Sequence, residues 1–175
     1  MPPQVLVAYG STNGSTAQIA EWIADALKAE GCAVQVRSAA ERPSPESYDA
    51  VVVGGALYSG HWHRDARRFA RRYKKQLARR PVWLFSSGPL DSSAEERELP
   101  PVPEAKRALM RVDAREHLVF GGKLDDTAQG WLARRIVAAG RGGDFRDRER
   151  IQKWARGIGR ELDAEFGDTR SAQPY

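Results

Sequence analysis

The stretch QVLVAYGSTNGST, residues 4–16, decides the fold. Its first part, Gln4–Tyr9, is a short run of apolar, β-favouring residues, which predicts a buried strand. Its second part is a loop of glycines and hydroxyl side chains, and the amphipathic stretch Ser15–Glu30 that follows predicts a helix ending at Gly31. A strand, a glycine turn and a helix in succession indicate a parallel α/β unit whose helix N-terminus is open to an anion.

The same alternation continues along the chain. Further strands are predicted at Ala33–Arg37, Ala50–Val53, Pro81–Phe85 and His117–Phe120. Helices are predicted at Trp62–Leu77, Glu104–Val112, Ala128–Ala139 and Asp147–Phe166. Strands that are apolar on both faces are covered on both faces, so we expect a doubly wound, five-stranded parallel sheet with a helical insert after the fifth strand. One domain is expected over residues 1–166, with a disordered tail over 167–175.

Composition narrows the class of protein. The chain has 175 residues and one cysteine, which excludes an internal disulfide and a multi-cysteine zinc site. Three histidines and scattered acids form no recognisable metal motif, so no metal is expected. No apolar run is long enough to span a bilayer, and the first residues lack the basic region of a secretory signal. These features predict a soluble, cytoplasmic protein.

The positive charge is concentrated in one segment. The whole chain carries +5, whereas residues 64–80 hold nine basic residues and one acid, for a local net charge of +8. This segment is a basic helix in the prediction, with its apolar face directed inward. Its arginines are candidates for an anionic ligand, an acidic membrane surface or a nucleic acid, and a merely solvated helix face is the alternative.

In a doubly wound sheet, ligands bind beyond the carboxyl ends of the strands, where the strand order reverses. The loop Gly10–Thr16 follows the first strand and offers hydroxyls and backbone N–H groups at a helix N-terminus, which is favourable for a phosphate. It lacks the lysine of a Walker loop and the spacing of a dinucleotide loop. A capped helix after a glycine turn is the alternative interpretation.

The loop resembles the phosphate loop of the flavodoxin family, T/S-x-T-G-x-T, which holds the 5′-phosphate of FMN. The matching positions are Ser11, Thr12, Gly14, Ser15 and Thr16. Asn13 stands where the family usually has threonine, and its amide can still donate and accept hydrogen bonds. The resemblance implies the strand order 2-1-3-4-5, with FMN at the switch point. The loop favours a ligand with a single terminal phosphate, such as FMN, and a deazaflavin is the alternative.

The resemblance also implies flavin contacts after the third and fourth strands. In the first of these loops they are Ala56, Leu57, Tyr58, Ser59, Gly60 and Trp62, with Tyr58 or Trp62 available to stack on the ring. Gly60 would permit the backbone rearrangement that accompanies flavin reduction. In the second loop the expected contacts are Ser86, Ser87, Gly88 and Pro89.

Several ordered motifs resemble the flavodoxin-type, quinone-dependent protoporphyrinogen oxidases. They lie at Gly54–His63, Phe85–Gly88, Phe120–Asp125, Gly142–Asp147 and Ile151–Ala155. The resemblance implies transfer of electrons from a porphyrinogen to a quinone, with peripheral contact at the inner membrane face. Arg64 and Arg67 are then candidates to bind substrate carboxylates, and His61 and His63 to move protons.

Three other kinds of function can be compared with this one. An electron-transfer flavoprotein or a quinone reductase would share the FMN site and differ in its partner. Electron-carrier flavodoxins are acidic as a family, and the basic segment counts against that role. A phosphoryl receiver would need acids where Tyr9, Gly10, Gly54 and Gly55 stand. A nucleic-acid binder would rest on the basic helix alone and is disfavoured.

Overall fold

The computed structural model describes residues 1–12, 14–88, 98–124 and 143–167. Its central sheet contains five parallel strands, which are β1 (Gln4–Gly10), β2 (Ala33–Ser38), β3 (Ala50–Tyr58), β5 (Val82–Ser87) and β6 (Glu116–Phe120). Their spatial order is β2-β1-β3-β5-β6. The two-residue strand β4 (His61–Trp62) pairs antiparallel with the end of β3. If β4 is left out and the five parallel strands are numbered along the chain, their order is the expected 2-1-3-4-5, which confirms the predicted fold class.

Helices cover both faces of the sheet. They are α1 (Ser15–Ala29), α2 (Arg64–Arg72), α3 (Lys74–Ala78), α4 (Pro103–Arg111) and α5 (Arg148–Gly167). The side chains of α1 and α5 form one core with Val5, Val7 and Phe85. The side chains of α2, α3 and α4 form a second core with Leu6 and Leu84. Because neighbouring strand residues point to opposite faces, each apolar strand contributes to both cores.

The strand β3 is longer than predicted. It continues through Gly54 and Gly55, which we expected to begin a loop, to Tyr58. A Cβ atom at Gly54 would collide with the Phe85 ring, and one at Gly55 would meet the Trp62 indole. The two glycines therefore remain in the strand and allow a large aromatic ring to pack on each face.

The basic helix begins later than predicted and is interrupted. His61 and Trp62 form β4, because Ser59 and Gly60 both have positive φ angles and turn the chain back onto β3. The helix then begins at Arg64 and is divided at Tyr73 into α2 and α3. The charged segment is thus two short helices preceded by a hairpin.

Some expectations fall outside the described residues. They are Asn13, Pro89, the insert helix over residues 128–139, and residues 168–175 of the predicted tail. The first tail residue, Gly167, ends α5, so the closing helix begins and ends one residue later than expected. A short antiparallel pair, β7 (Lys123–Leu124) with β8 (Gly143–Asp144), flanks the position of the insert.

Candidate functional site

Sheet register aligns the three strand ends from which the site is built. Gly10 of β1 lies opposite Gly55 of β3, and Gly55 lies opposite Ser86 of β5. All three strands are parallel, so the loops that follow them emerge at one edge of the sheet. The structure therefore brings together the first, second and third candidate loops at the point where strand order reverses.

The first loop presents an open helix N-terminus. Gly14 N donates to Ser11 Oγ over 3.0 Å, and Gly14 adopts a left-handed conformation, φ 84°. Among the described residues, no side chain forms a capping hydrogen bond at the start of α1. Thr16 is fully buried, and its hydroxyl has no hydrogen-bond partner among the described residues. The loop therefore has hydroxyl and N–H groups available for an anion.

The second loop is a tight hairpin. The pairs Leu57–Trp62 and Tyr58–His61 enclose a two-residue turn of Ser59 and Gly60. Tyr58 is exposed at the end of the hairpin. An aromatic residue must be exposed if its ring is to stack on a cofactor. Trp62, the other expected stacking residue, is buried over Gly55, and its indole N–H donates to the carbonyl of Phe85 over 3.4 Å. Its ring face is not open to a cofactor in this arrangement.

The third loop begins inside the strand. Ser86 and Ser87 belong to β5 and are buried, and Gly88 follows with φ 116°. The Ser87 hydroxyl has no hydrogen-bond partner among the described residues. Ser86 Oγ lies 2.7 Å from Nε2 of His117 on β6. Burial lowers the pKa of His117 to about 4, so this imidazole is neutral at physiological pH.

His63 connects the first loop to the start of α2. Its Nε2 lies 3.1 Å from Thr12 Oγ1, and its Nδ1 accepts a hydrogen bond of 3.1 Å from the backbone N–H of Asp65. The second bond caps the N-terminus of α2. Burial is the largest effect on the pKa of His63 and lowers it; the Asp65 carboxylate acts next and raises the pKa, and the cations Arg64 and Arg67 lower it. Both ring nitrogens are therefore engaged in holding the fold around the first loop.

His61, two residues earlier, has a different environment. Its Nδ1 lies 2.7 Å from Oε1 of Glu104, in the first turn of α4, and its side chain is 68% exposed. The hydrogen bond from His61 is the largest cause of a lowered pKa at Glu104. Sequence reasoning missed Glu104, because 43 residues separate it from His61 and neither motif includes it.

The arginines of α2 are divided between two sides of the helix. Arg64 is exposed and lies 3.5 Å from the Asp65 carboxylate. Arg67 is partly buried near Glu104 and His63, and its Nε has no partner among the described residues. Arg68 and Arg72 instead line a separate cavity of about 290 Å³ beside the end of β2. Only the first two arginines are near the strand-end loops.

The hydrogen-bond donors of the strand-end loops fit FMN, the cofactor that the sequence predicts. Thr16 and Ser87 place two buried, unpartnered hydroxyls on the first and third loops. Buried hydroxyls without a partner are costly unless a ligand satisfies them. The uncapped N-terminus of α1 supplies N–H groups that suit a phosphate. These neutral donors suit FMN.

The described residues lack two kinds of feature. No cluster of three or more histidine, cysteine, aspartate or glutamate side chains is arranged to hold a metal ion. Within the same ranges, no helix combines the length and apolar character needed to cross a membrane.

Known proteins share this architecture. The chain is 26% identical over 138 residues to protoporphyrinogen IX dehydrogenase (quinone) of Escherichia coli K12, across 77% of this chain and 76% of that protein. Its fold matches rubredoxin oxygen:oxidoreductase of Desulfovibrio gigas with a TM-score of 0.62 at 16% identity, covering 94% of this chain and 38% of that one. For flavodoxin 1 of Bacillus cereus the TM-score is 0.56 at 16% identity, with coverages of 91% and 96%.

The family comparison gives the same result. The family model described as "Flavodoxin domain" matches residues 6–142, which contain the first, second and third loops. The expected resemblance and the expected cofactor are thereby confirmed. This chain belongs to the flavodoxin domain family of FMN-binding proteins.

Proposed function

We propose that this protein is an FMN-dependent oxidoreductase that takes electrons from a porphyrinogen and passes them to a quinone. The observation that carries the proposal is the similarity to the E. coli protoporphyrinogen IX dehydrogenase, which extends over 138 residues. The family membership supports the redox class and the cofactor, and the similarity supports the substrate and acceptor.

The three loops would hold FMN with neutral groups. Ser11, Thr12, Asn13, Gly14, Ser15 and Thr16 would bind the phosphate. Ala56, Leu57, Tyr58, Ser59 and Gly60 would face the ring, and Ser86, Ser87, Gly88 and Pro89 would meet its polar edge. Bound FMN supplies the electron-transfer chemistry, and the protein supplies binding and orientation. Tyr58 is the exposed aromatic residue of the second loop, which supports it as the stacking residue.

Arg67 and Arg64 would bind the carboxylates of the substrate. Both lie at the beginning of α2, directly after the hairpin. A guanidinium group pairs with a carboxylate through two parallel hydrogen bonds, and Nε of Arg67 has no hydrogen-bond partner among the described residues. Arg64 already has a neighbouring carboxylate in Asp65, so Arg67 is the stronger candidate.

His61 would accept a proton from the substrate. Oxidation of a porphyrinogen removes protons together with electrons, so a base near the redox site would assist it. Glu104 holds Nδ1 of His61 over 2.7 Å, and the exposure of the ring leaves Nε2 accessible from solvent. His63 is less suited to this role, because both of its nitrogens are engaged.

The remaining basic residues of α2 and α3 would face the membrane that contains the quinone. Each lysine or arginine near an anionic lipid surface contributes about 1 kcal/mol to binding. Peripheral attachment of this kind requires no membrane-spanning helix.

Two measurements test the proposal in order. The purified protein is first titrated with FMN, and saturable quenching of flavin fluorescence is expected. The FMN-loaded protein is then given protoporphyrinogen and menaquinone, and porphyrin fluorescence should rise above the autoxidation control. Loading with FMN but no porphyrin formation would reject the substrate and leave an electron-transfer protein or a quinone reductase. Failure to bind FMN would reject the proposed function altogether.

A further inference from the structure

The bond between His63 and Thr12 joins two segments that are 51 residues apart in the chain. Thr12 belongs to the first loop, and His63 is the N-cap residue of α2. The imidazole side chain is only 9% exposed. A buried ring held by a hydrogen bond at each nitrogen has a fixed orientation, so its effect on Thr12 can be worked out atom by atom.

The proton on His63 is located by its partners. The Asp65 backbone N–H can only donate, so Nδ1 of His63 must provide a lone pair. In a neutral imidazole the hydrogen is then on Nε2, which donates to Thr12 Oγ1. The lowered pKa of His63 supports the neutral form. Because Thr12 Oγ1 accepts from His63, its own hydrogen is directed elsewhere, and the hydroxyl is oriented as a donor.

The backbone is built to allow this contact. Gly10 is the last residue of β1, and a Cβ atom there would lie 2.8 Å from Ala66 N and 2.9 Å from His63 Nδ1. Any side chain at this position would displace the start of α2 or the imidazole ring. The close approach of β1 to α2 therefore depends on glycine.

We propose that His63 is a positioning residue for the phosphate of FMN, acting by orienting the Thr12 hydroxyl as a hydrogen-bond donor toward it. The proposal rests on the binding of FMN. It replaces the expected proton-transfer role of His63, because a nitrogen that caps a helix and one that holds a threonine are not available to a substrate.

The test compares FMN with riboflavin, which has the same ring and no phosphate. His63→Asn is the main variant, because asparagine is a good N-cap for α2 but is too short to reach Thr12. We expect FMN to bind about tenfold more weakly to this variant, the effect of one hydrogen bond, and riboflavin binding to be unchanged. Arg71→Gln, on the exposed side of α2, is the matched control and should leave both affinities unchanged.

Two further variants separate positioning from folding. His63→Gln has a longer amide that can again donate to Thr12, and it should recover part of the lost affinity. In a Thr12→Val background, His63→Asn should cause no additional loss, since the hydroxyl that it orients is absent. Equal weakening of FMN and riboflavin, or wild-type FMN affinity in His63→Asn, would overturn the inference alone. Absence of FMN binding by the wild-type protein would overturn the proposed function as well.

Discussion

His117 is a neutral, partly buried histidine that makes stability depend on pH. Burial lowers its pKa to about 4 in the folded protein, against 6.5 for an unperturbed histidine. As the pH falls below 6.5, the unfolded chain binds a proton at this residue before the folded protein does. The free energy of unfolding should therefore fall between about pH 6.5 and about pH 4, by at most about 3 kcal/mol, and His117 should have no effect at higher pH.

Urea unfolding at a series of pH values measures this dependence. Carboxylates also titrate at the acidic end of the range, so the quantity to compare is the difference between the wild-type protein and His117→Gln. Glutamine does not titrate and can still donate to Ser86, the neighbour of His117 at 2.7 Å. Identical pH dependence in the two proteins would show that His117 is not the source.

Replacement of glycine by alanine is expected to have opposite effects on stability at Gly10 and at Gly157. Gly10→Ala places a Cβ atom 2.8 Å from the backbone nitrogen of Ala66 and should destabilise the protein by about 1–3 kcal/mol. Gly157 lies within α5, and a Cβ atom there meets nothing within 4 Å. Gly157→Ala should stabilise by up to about 1 kcal/mol through helix propensity. Thermal unfolding of both variants checks the pair, and a stable Gly10→Ala protein would contradict the close packing.

At the scale of elements, α4 supports the hairpin through Glu104. Glu104→Gln removes the charge but keeps the size of the side chain, so the His61 ring loses its carboxylate partner. We expect porphyrinogen oxidation to slow about tenfold, with FMN affinity unchanged. His61→Asn should slow the reaction at least as much, and the double variant should be no slower than His61→Asn. Additive losses in steady-state rates would mean that the two residues do not act as a pair.

The two sides of α2 should also differ in function. Arg67 lies near the hairpin, whereas Arg71 is exposed elsewhere on the helix. Arg67→Gln should raise the KM for porphyrinogen about tenfold or more, because a desolvated guanidinium–carboxylate pair is lost. Arg71→Gln should leave the KM unchanged. Equal effects of the two variants, measured at several salt concentrations, would indicate general electrostatic attraction rather than a bound carboxylate.

At the scale of the whole molecule, FMN should stabilise the fold. The three loops come from β1, β3 and β5, so a ligand that contacts them all holds the centre of the sheet together. At about 100 times the dissociation constant, a ligand specific for the folded protein adds about 2.7 kcal/mol. For a chain of this size, that corresponds to a rise in Tm of about 5–10 °C. Riboflavin at the same concentration should raise Tm less, and equal shifts would argue against phosphate recognition by the first loop.

Local sequence patterns determined the main features of this protein. Each strand and its following turn can be read from a few neighbouring residues, because strand periodicity, glycine turns and helix starts are short-range properties. The order of the motifs then indicated the flavodoxin family and FMN. Gly54 and Gly55 are an exception. Glycine at these positions suggests a turn, whereas in the structure both residues remain in a strand and make room for the rings of Phe85 and Trp62.

The tertiary structure alone decided how the site side chains are paired. His61 and His63 are both histidines and lie two residues apart in one motif, yet one contacts Glu104 and the other Thr12. Trp62 and Tyr58 are likewise both aromatic, and only the hairpin geometry buries one and exposes the other. Such pairings depend on sheet register and on helices from distant parts of the chain, and a single sequence contains no local signal for contacts at that separation.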